Sequence, residues 1–137
     1  MPAKQPGLPG DVILLVDDYH DGREMYADAL RLAGYQPLEA TNGLDALRLA
    51  TEQAPSLILM DLSLPGLDGW EVTARLKKDA RTRRIPIIAL TAHALREERD
   101  RATQAGCDSF LAKPCLPDEV VAEVARLLHL ARSGSLR

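Results

Sequence analysis

The chain has 137 residues, with 17 Lys and Arg against 20 Asp and Glu, and a formal net charge of -3. This length is typical of one domain that buries most of its apolar surface without help from a metal or a disulfide. Both signs of charge are spread along the sequence, so we expect no direct binding of nucleic acid. Cys107 and Cys115 lack the spacing of a zinc or redox motif, and we interpret both as reduced packing residues.

Neither end of the chain has the pattern of a targeting or membrane segment. The first ten residues, MPAKQPGLPG, contain one lysine and no apolar core segment. No apolar run approaches the roughly 20 residues of a transmembrane helix. We therefore expect a cytoplasmic protein with no membrane partner. Prolines and glycines predict a flexible arm over residues 1–10, a folded domain over 11–131 and a flexible tail over 132–137.

Five predicted strands alternate with five helical patterns along the chain. The first, Val12 to Val16, is a continuous run rich in β-branched residues, which is typical of a strand covered on both faces. The other strands are predicted at 36–40, 57–60, 85–90 and 109–112. Short crossovers in strict alternation indicate a doubly wound parallel sheet with right-handed connections.

Turn and cap residues delimit the predicted helices. Asp21 and Gly22 precede the first helix and Gly34 closes it. The second is capped by Thr41 and Asn42 and ends before Pro55, the third covers about 70–78, the fourth is polar and ends at Gly106, and the fifth begins near Pro117. We interpret Asp68 as a turn or cap residue.

Polar residues follow most of the predicted strands. Asp17 and Asp18 come after the first strand, Asp61 ends the third, Thr91 follows the fourth and Lys113 follows the fifth. In a parallel sheet of this kind, ligands bind beyond the carboxyl ends of the strands. We therefore expect these residues to share one edge. Taken alone, Asp61 could equally be a helix cap, and the acid pair a solvated loop.

Three crowded carboxylates repel one another and favour a bound cation. Oxygen ligands without imidazole or thiolate suit Mg2+ or Mn2+, and we expect Mg2+. The ammonium group of Lys113 and the hydroxyl of Thr91 suggest that the site handles phosphoryl oxygens. An aspartate would be the nucleophile, because carboxylates form aspartyl-phosphate intermediates.

Four landmarks in order resemble the receiver domain of bacterial response regulators. They are the pair Asp17-Asp18, the segment DLSLPGLDG around Asp61, the segment ALTA around Thr91, and the segment AGCDSFLAKP around Lys113. The resemblance covers roughly Asp11 to Leu130, so the predicted domain over 11–131 would be a receiver domain. It implies a flavodoxin-like sheet with strand order 2-1-3-4-5.

The resemblance also implies a role for each site residue. Asp61 would accept a phosphoryl group from a histidine kinase or a histidine phosphotransfer protein. Asp17, Asp18, Asp61 and the backbone carbonyl of Ser63 would hold Mg2+. Lys113 would bind the phosphoryl oxygens. The expected function is that of a phosphoacceptor in two-component or phosphorelay signalling.

The resemblance further implies a switch. Thr91 would turn inward to hydrogen-bond a phosphoryl oxygen, Phe110 would move with it, and a downstream effector protein would dock on the changed surface. We expect a cis peptide bond between Lys113 and Pro114. Such a bond would turn the lysine side chain toward Asp61, and the receivers that this chain resembles commonly have it.

Two departures and two alternatives accompany this interpretation. Cys115 stands where the family often has an aromatic residue, and Glu123 stands where winged-helix regulators often have an arginine, so their salt-bridged dimer is not expected. One alternative is an aspartate-nucleophile phosphatase, but Ser63 occupies the position of its general acid. The other is an inert interaction domain. We expect a non-enzymatic receiver that is either stand-alone or part of a hybrid kinase.

Overall fold

The computed structural model describes residues 10–64, 66, 68–92 and 96–136. Within these ranges, strands and helices alternate strictly. The strands are β1 Val12–Val16, β2 Gln36–Ala40, β3 Leu57–Asp61, β4 Ile87–Thr91 and β5 Ser109–Ala112. The helices are α1 His20–Leu32, α2 Gly43–Gln53, α3 Gly69–Lys78, α4 Arg96–Ala105 and α5 Pro117–Arg132. Most of the predicted arm, residues 1–9, lies outside the described residues.

The strands form one parallel sheet in the order β2-β1-β3-β4-β5. This confirms the predicted α/β fold, a doubly wound sheet of five parallel strands with the flavodoxin-like order. The chain connects β1 first to one neighbour, β2, and later to the other, β3, so the winding reverses between β1 and β3. A crevice opens at the carboxyl ends of the strands at such a point.

Each central strand contributes to two hydrophobic cores, because successive side chains point to opposite faces of a sheet. Leu15 belongs to a first core, shared with helices α1 and α5. Leu14 belongs to a second core, shared with α2, α3 and α4. All side chains of β3 and β4 are buried. The apolar runs in the sequence are therefore continuous because both faces of these strands are covered.

Side-chain caps fix the first turns of two helices. The Asn42 side chain accepts a hydrogen bond from the Asp45 N–H of α2 at 2.9 Å. The Asp68 side chain accepts one from the Glu71 N–H of α3 at 2.9 Å. Both contacts satisfy helix N–H groups that have no partner within the helix. The predicted cap roles of Asn42 and Asp68 are confirmed.

Some element ends differ from the sequence prediction. Strand β4 begins at Ile87 rather than Ile85, because the Ile85 N–H bonds Thr82 in a turn and Pro86 has no N–H to donate. Helix α1 begins at His20, before the Asp21 expected to precede it, since the Tyr19 carbonyl already accepts the first helical hydrogen bond. Strand β3 extends by one residue to include Asp61, and β4 ends one residue later than predicted, at Thr91.

The end of the chain folds back on α5. Arg132 is the last residue of this helix, and its guanidinium contacts the Asp11 carboxylate at 2.7 Å. The N–H groups of Ser135 and Leu136 both donate to the Leu130 carbonyl, and Leu136 packs against the first core. The flexibility expected of residues 132–137 stays a prediction. No helix among the described residues has the length and apolar character that crossing a membrane requires.

Candidate functional site

Three carboxylates meet at the carboxyl edge of the sheet. Asp61 is the last residue of β3 and is 5% exposed, and Asp17 follows β1 and is 0% exposed. Asp18, the next residue in the loop, is exposed. One carboxylate oxygen from each of the three lies within 4.8 Å of the others. The sequence changes from apolar to acidic where β1 and β3 leave the two cores. The acids lie together because these parallel strands end at the same edge of the sheet.

Lys113 reaches this acidic cluster from the edge strand β5, at the same carboxyl edge of the sheet. Its Nζ lies 3.3 Å from Oδ2 of Asp17 and 3.3 Å from Oδ2 of Asp61. The residue follows β5, where its N–H donates to the Thr91 carbonyl at 2.7 Å. The peptide bond between Lys113 and Pro114 is cis. The lysine thus contacts both buried acids from across β4.

Burial and neighbouring charges shift the pKa values of Asp17 and Lys113. Burial raises the pKa of the Asp17 carboxyl, the Tyr19 N–H and Lys113 oppose this, and Asp61 adds to it. Burial would lower the pKa of Lys113, but the charges of Asp61 and Asp17 outweigh it and the pKa is raised. Lys113 therefore stays protonated at neutral pH, while a buried acid beside another acid favours a further cation.

The donor set fits a divalent ion that prefers oxygen. Among the described residues, the acidic cluster offers three carboxylates and contains neither imidazole nor thiolate. Mg2+ is bound through a few carboxylates and keeps several waters. The Ser63 N–H donates to Oδ1 of Asp61 at 2.9 Å, so the Ser63 backbone lies beside the cluster. These residues suit the Mg2+ that the sequence predicts.

The two residues of the expected switch lie on β4 and β5. Thr91 is the last residue of β4, is 2% exposed, and pairs with Ala112 at the same edge as the acids. Phe110 lies on β5 and packs, partly buried, against the second core. The Arg99 guanidinium carbon lies 5.2 Å from the centre of its ring. The edge therefore continues from the acidic cluster toward the surface formed by α4 and β5.

Sequence reasoning missed three residues that support the site. A Cβ at Gly69 would lie 2.4 Å from the Asp61 carbonyl oxygen, so only glycine lets α3 approach the backbone of β3. The Tyr26 hydroxyl of α1 donates to the Cys115 carbonyl at 3.0 Å and ties α1 to the loop after Lys113. Arg23 bonds the Asp17 carbonyl. The last glycine of DLSLPGLDG, Gly69, could have indicated this close approach from sequence. The contacts of Tyr26 and Arg23 could not, because they depend on how the helices and strands are placed.

Fold and site together define a doubly wound α/β domain with an acidic, lysine-bearing site at its topological switch point. The family model of the response regulator receiver domain matches residues 13–125. The chain therefore belongs to the receiver domain family of response regulators, which are proteins of two-component signalling.

Curated relatives and solved structures agree with this assignment. The polar-differentiation response regulator DivK of Brucella anthropi is 41% identical over 102 residues, which are 74% of this chain and 83% of DivK. The phosphate regulon regulatory protein PhoB of Pseudomonas aeruginosa is 42% identical over 127 residues, 93% of this chain but 56% of PhoB. The receiver domain of the sensor histidine kinase PA1611 from Pseudomonas aeruginosa is 40% identical, with a TM-score of 0.77 and coverage of 88% of this chain and 95% of that one. That structure has a magnesium ion coordinated in its active-site cleft.

Proposed function

We propose that Asp61 accepts a phosphoryl group from the phosphohistidine of a histidine kinase or a histidine phosphotransfer protein. The observation that carries the proposal is the position of Asp61. It ends a central strand, lies in one cluster with Asp17 and Asp18, and is 3.3 Å from the ammonium nitrogen of Lys113. A carboxylate nucleophile needs charge compensation when a phosphoryl group approaches, and this edge concentrates the groups that supply it.

The transfer follows from the chemistry of the two side chains. A carboxylate oxygen of Asp61 attacks the phosphorus and forms an acyl phosphate as the phosphorus–nitrogen bond breaks. The imidazole nitrogen keeps the bonding electron pair and takes up a proton. Lys113 would bind an oxygen of the transferred group, and the contact of its Nζ with Asp61 supports this role.

Asp17, Asp18, Asp61 and the Ser63 backbone carbonyl would hold Mg2+. When bound there, Mg2+ offsets negative charge on the transferring oxygens. Asp17 would contribute a carboxylate from a buried position, and Asp18 would contribute one from the exposed rim. The related PA1611 receiver, which has magnesium in its active-site cleft, supports this part of the proposal.

The phosphorylated chain would be recognised through the surface of α4, β5 and α5. A phosphoryl group adds about -1.5 to -2 charges and strong acceptors at Asp61. The hydroxyl of Thr91, at the same edge, would donate to it, and Phe110 would move inward with Thr91. Only such a differential contact shifts the population toward the form that a downstream effector protein binds.

We further propose that the chain signals by this change of state and turns over no separate substrate. A phosphatase with an aspartate nucleophile usually needs an acid two residues after it, and Ser63 stands there. The proposed phosphodonors and the downstream effector protein act in the cytoplasm, and we place the chain there with them.

The test is labelling by a small phosphodonor with Mg2+, measured as intact mass. We expect one phosphoryl adduct on the wild-type chain, none on Asp61→Asn, and none on the wild type after chelation of Mg2+. Asp100→Asn, at an exposed position of α4, is the matched control and should label like the wild type. Equal labelling of Asp61→Asn and the wild type would contradict the assignment.

A further inference from the structure

We propose that Arg23 positions the loop carrying Asp17 and Asp18, here called the acidic loop (residues 17–19), and thereby sets the Mg2+ affinity of the site. The inference rests on the proposed function in taking the acidic cluster as the Mg2+ site. It assigns Arg23 a role that neither the sequence motifs nor the site chemistry assigned to it.

The Arg23 side chain links three parts of the fold. From the first turns of α1, its NH1 donates to the Asp17 carbonyl at 3.0 Å. Its Nε donates to Oε1 of Glu39, on the edge strand β2, at 2.8 Å. The backbone N–H of Arg23 donates to the Tyr19 carbonyl at 3.0 Å. The side chain is 12% exposed, so these contacts are largely shielded from water.

The bonded carbonyl belongs to the peptide group that joins Asp17 to Asp18. A hydrogen bond to this carbonyl fixes the plane from which the Asp18 side chain leaves the backbone. Within the described residues, the Asp18 carboxylate itself has no hydrogen bond or ion pair. Its position therefore depends on the backbone of the acidic loop, and Arg23 is the side chain that holds this backbone.

Repulsion within the acidic cluster makes such a support necessary. The carboxylates of Asp17, Asp18 and Asp61 lie together, and like charges at this distance push the acidic loop away from β3. The Asp17 N–H donates to the Ala40 carbonyl at 3.1 Å and the Tyr19 N–H to the Asp17 carboxylate at 2.9 Å. Those bonds hold the two ends of the acidic loop, and Arg23 holds its central peptide.

An arginine suits this position better than a lysine does. Its planar guanidinium presents several donors in a rigid fork and binds a carbonyl and a carboxylate at once in fixed directions. A lysine ammonium is a point charge on a flexible stem. Arg23→Lys would therefore keep the charge and lose the defined link between Glu39 and the acidic loop.

A purely electrostatic role of Arg23 predicts the opposite change in Mg2+ affinity. As a cation near the acidic cluster, Arg23 repels a second cation, so its removal would tighten Mg2+ binding and Arg23→Lys would change nothing. A positioning role predicts weaker binding for Arg23→Ala and also for Arg23→Lys. The two roles are thus separated by the direction of the change.

The experiment is calorimetric titration of the full chain with MgCl2, with the fold of each variant checked by circular dichroism. Substitution of a residue that supports metal ligands lowers affinity about 10- to 100-fold, and we expect a loss near the lower limit, about tenfold, for Arg23→Ala and Arg23→Lys. Glu39→Gln should show a smaller loss. Arg31→Ala is the matched control, because Arg31 lies on the same helix and is 3.8 Å from the same Glu39 carboxylate.

A parallel titration with CaCl2 measures the preference of the site for Mg2+ over Ca2+. General destabilisation of the fold would not change this preference. Mg2+ demands near-ideal octahedral geometry, whereas Ca2+ tolerates irregular sites. We expect the Arg23 variants to lose more affinity for Mg2+ than for Ca2+. Equal losses for both ions, or Mg2+ affinity of Arg23→Lys equal to that of the wild type, would overturn the positioning role.

The outcomes also separate this inference from the proposed function. If the wild-type chain binds Mg2+ and labels on Asp61 while the Arg23 variants bind Mg2+ as it does, only the inference fails. If the wild-type chain binds no Mg2+, the proposed metal site fails and the inference fails with it.

Discussion

Helices α1 and α4 both follow strands that end at the site, yet they are held in different ways. Helix α1, after β1, buries Tyr26, Ala27 and Leu30 in the first core. Helix α4 begins a few residues after β4, and Ala102 is its one residue that the structure describes as buried. The helix next to the acidic cluster is thus fixed by the core, and the helix next to Thr91 has little apolar contact.

Polar contacts extend this difference. Helix α1 makes directional hydrogen bonds, through Arg23 to the acidic loop and through Tyr26 to the Cys115 carbonyl. Two arginines of helix α4 stack on aromatic rings of the neighbouring elements β5 and α3. The guanidinium carbon of Arg99 is 5.2 Å from the Phe110 ring, and that of Arg101 is 4.4 Å from the Trp70 ring. At exposed sites such stacking contributes about 0.5–1 kcal/mol each.

The difference matches what the two regions have to do under the proposed function. Metal ligands and a phosphoacceptor require fixed geometry, whereas a signalling surface requires two arrangements of similar free energy. Segments that open or move are drawn from the parts of a fold with few buried apolar contacts. We infer that the α1 side carries the chemistry and that the α4 side carries the switch.

The largest expected effect comes from weakening the anchor of α1. Leu30→Ala should lower the free energy of unfolding by about 2–5 kcal/mol, because a fully buried leucine leaves a cavity. Urea unfolding followed by circular dichroism measures this. Leu32→Ala is the control on the same helix, since Leu32 is 91% exposed and its loss should change stability by about 0.5 kcal/mol or less. Similar losses for both variants would contradict the proposed anchoring of α1.

A smaller effect is expected from removing a stacking arginine of α4. Arg101→Ala should cost about 0.5–1 kcal/mol of stability. It should also change the fluorescence of Trp70, the single tryptophan of the chain. Arg96→Ala, at an exposed position of the same helix, should leave the emission spectrum unchanged. If Arg101→Ala also leaves it unchanged, the stack does not hold α4 against α3.

The strands and the acidic cluster could be predicted from sequence because they follow from local pattern and one topological rule. The predicted bounds of β1, β2 and β5 agree with the structure, and parallel strands bring Asp17 and Asp61 to one edge. The start of β4 was placed two residues early, because the prediction followed the apolar run through Pro86, which has no N–H for a ladder bond. Local pattern predicts which residues are buried better than it predicts which backbone groups pair.

The supporting contacts could not be predicted, because they join residues distant in sequence. Arg23 meets Glu39 because β1 and β2 pair with Val16 opposite Ala40. Lys77 of α3 donates to the carboxylate of Asp108, the residue before β5, at 2.9 Å. Neither pairing has a sequence spacing of its own. Both appear only when register and helix placement are known.

The smallest effect concerns the pH dependence of stability at the contact between β5 and α5. The Arg126 guanidinium lowers the pKa of the Glu123 carboxyl, and the Ser109 hydroxyl adds to this against the effect of burial. A lowered folded-state pKa contributes stability above the unfolded value, about 4.3, and this contribution is lost as pH falls through the folded value. The stability advantage of the wild type over Glu123→Gln should therefore shrink as the solution is acidified below about pH 4.3. An advantage that stays constant over this range would show that the carboxylate contributes nothing.

The most direct test of the two-region account is amide hydrogen exchange, with and without phosphorylation, in the same Mg2+ buffer. Asp61→Asn treated with the same phosphodonor is the control. The account predicts altered exchange at Thr91 and Ala92, along α4 and along β5, with α1 unchanged. Altered exchange confined to α1 and β2, with α4 and β5 unchanged, would contradict it.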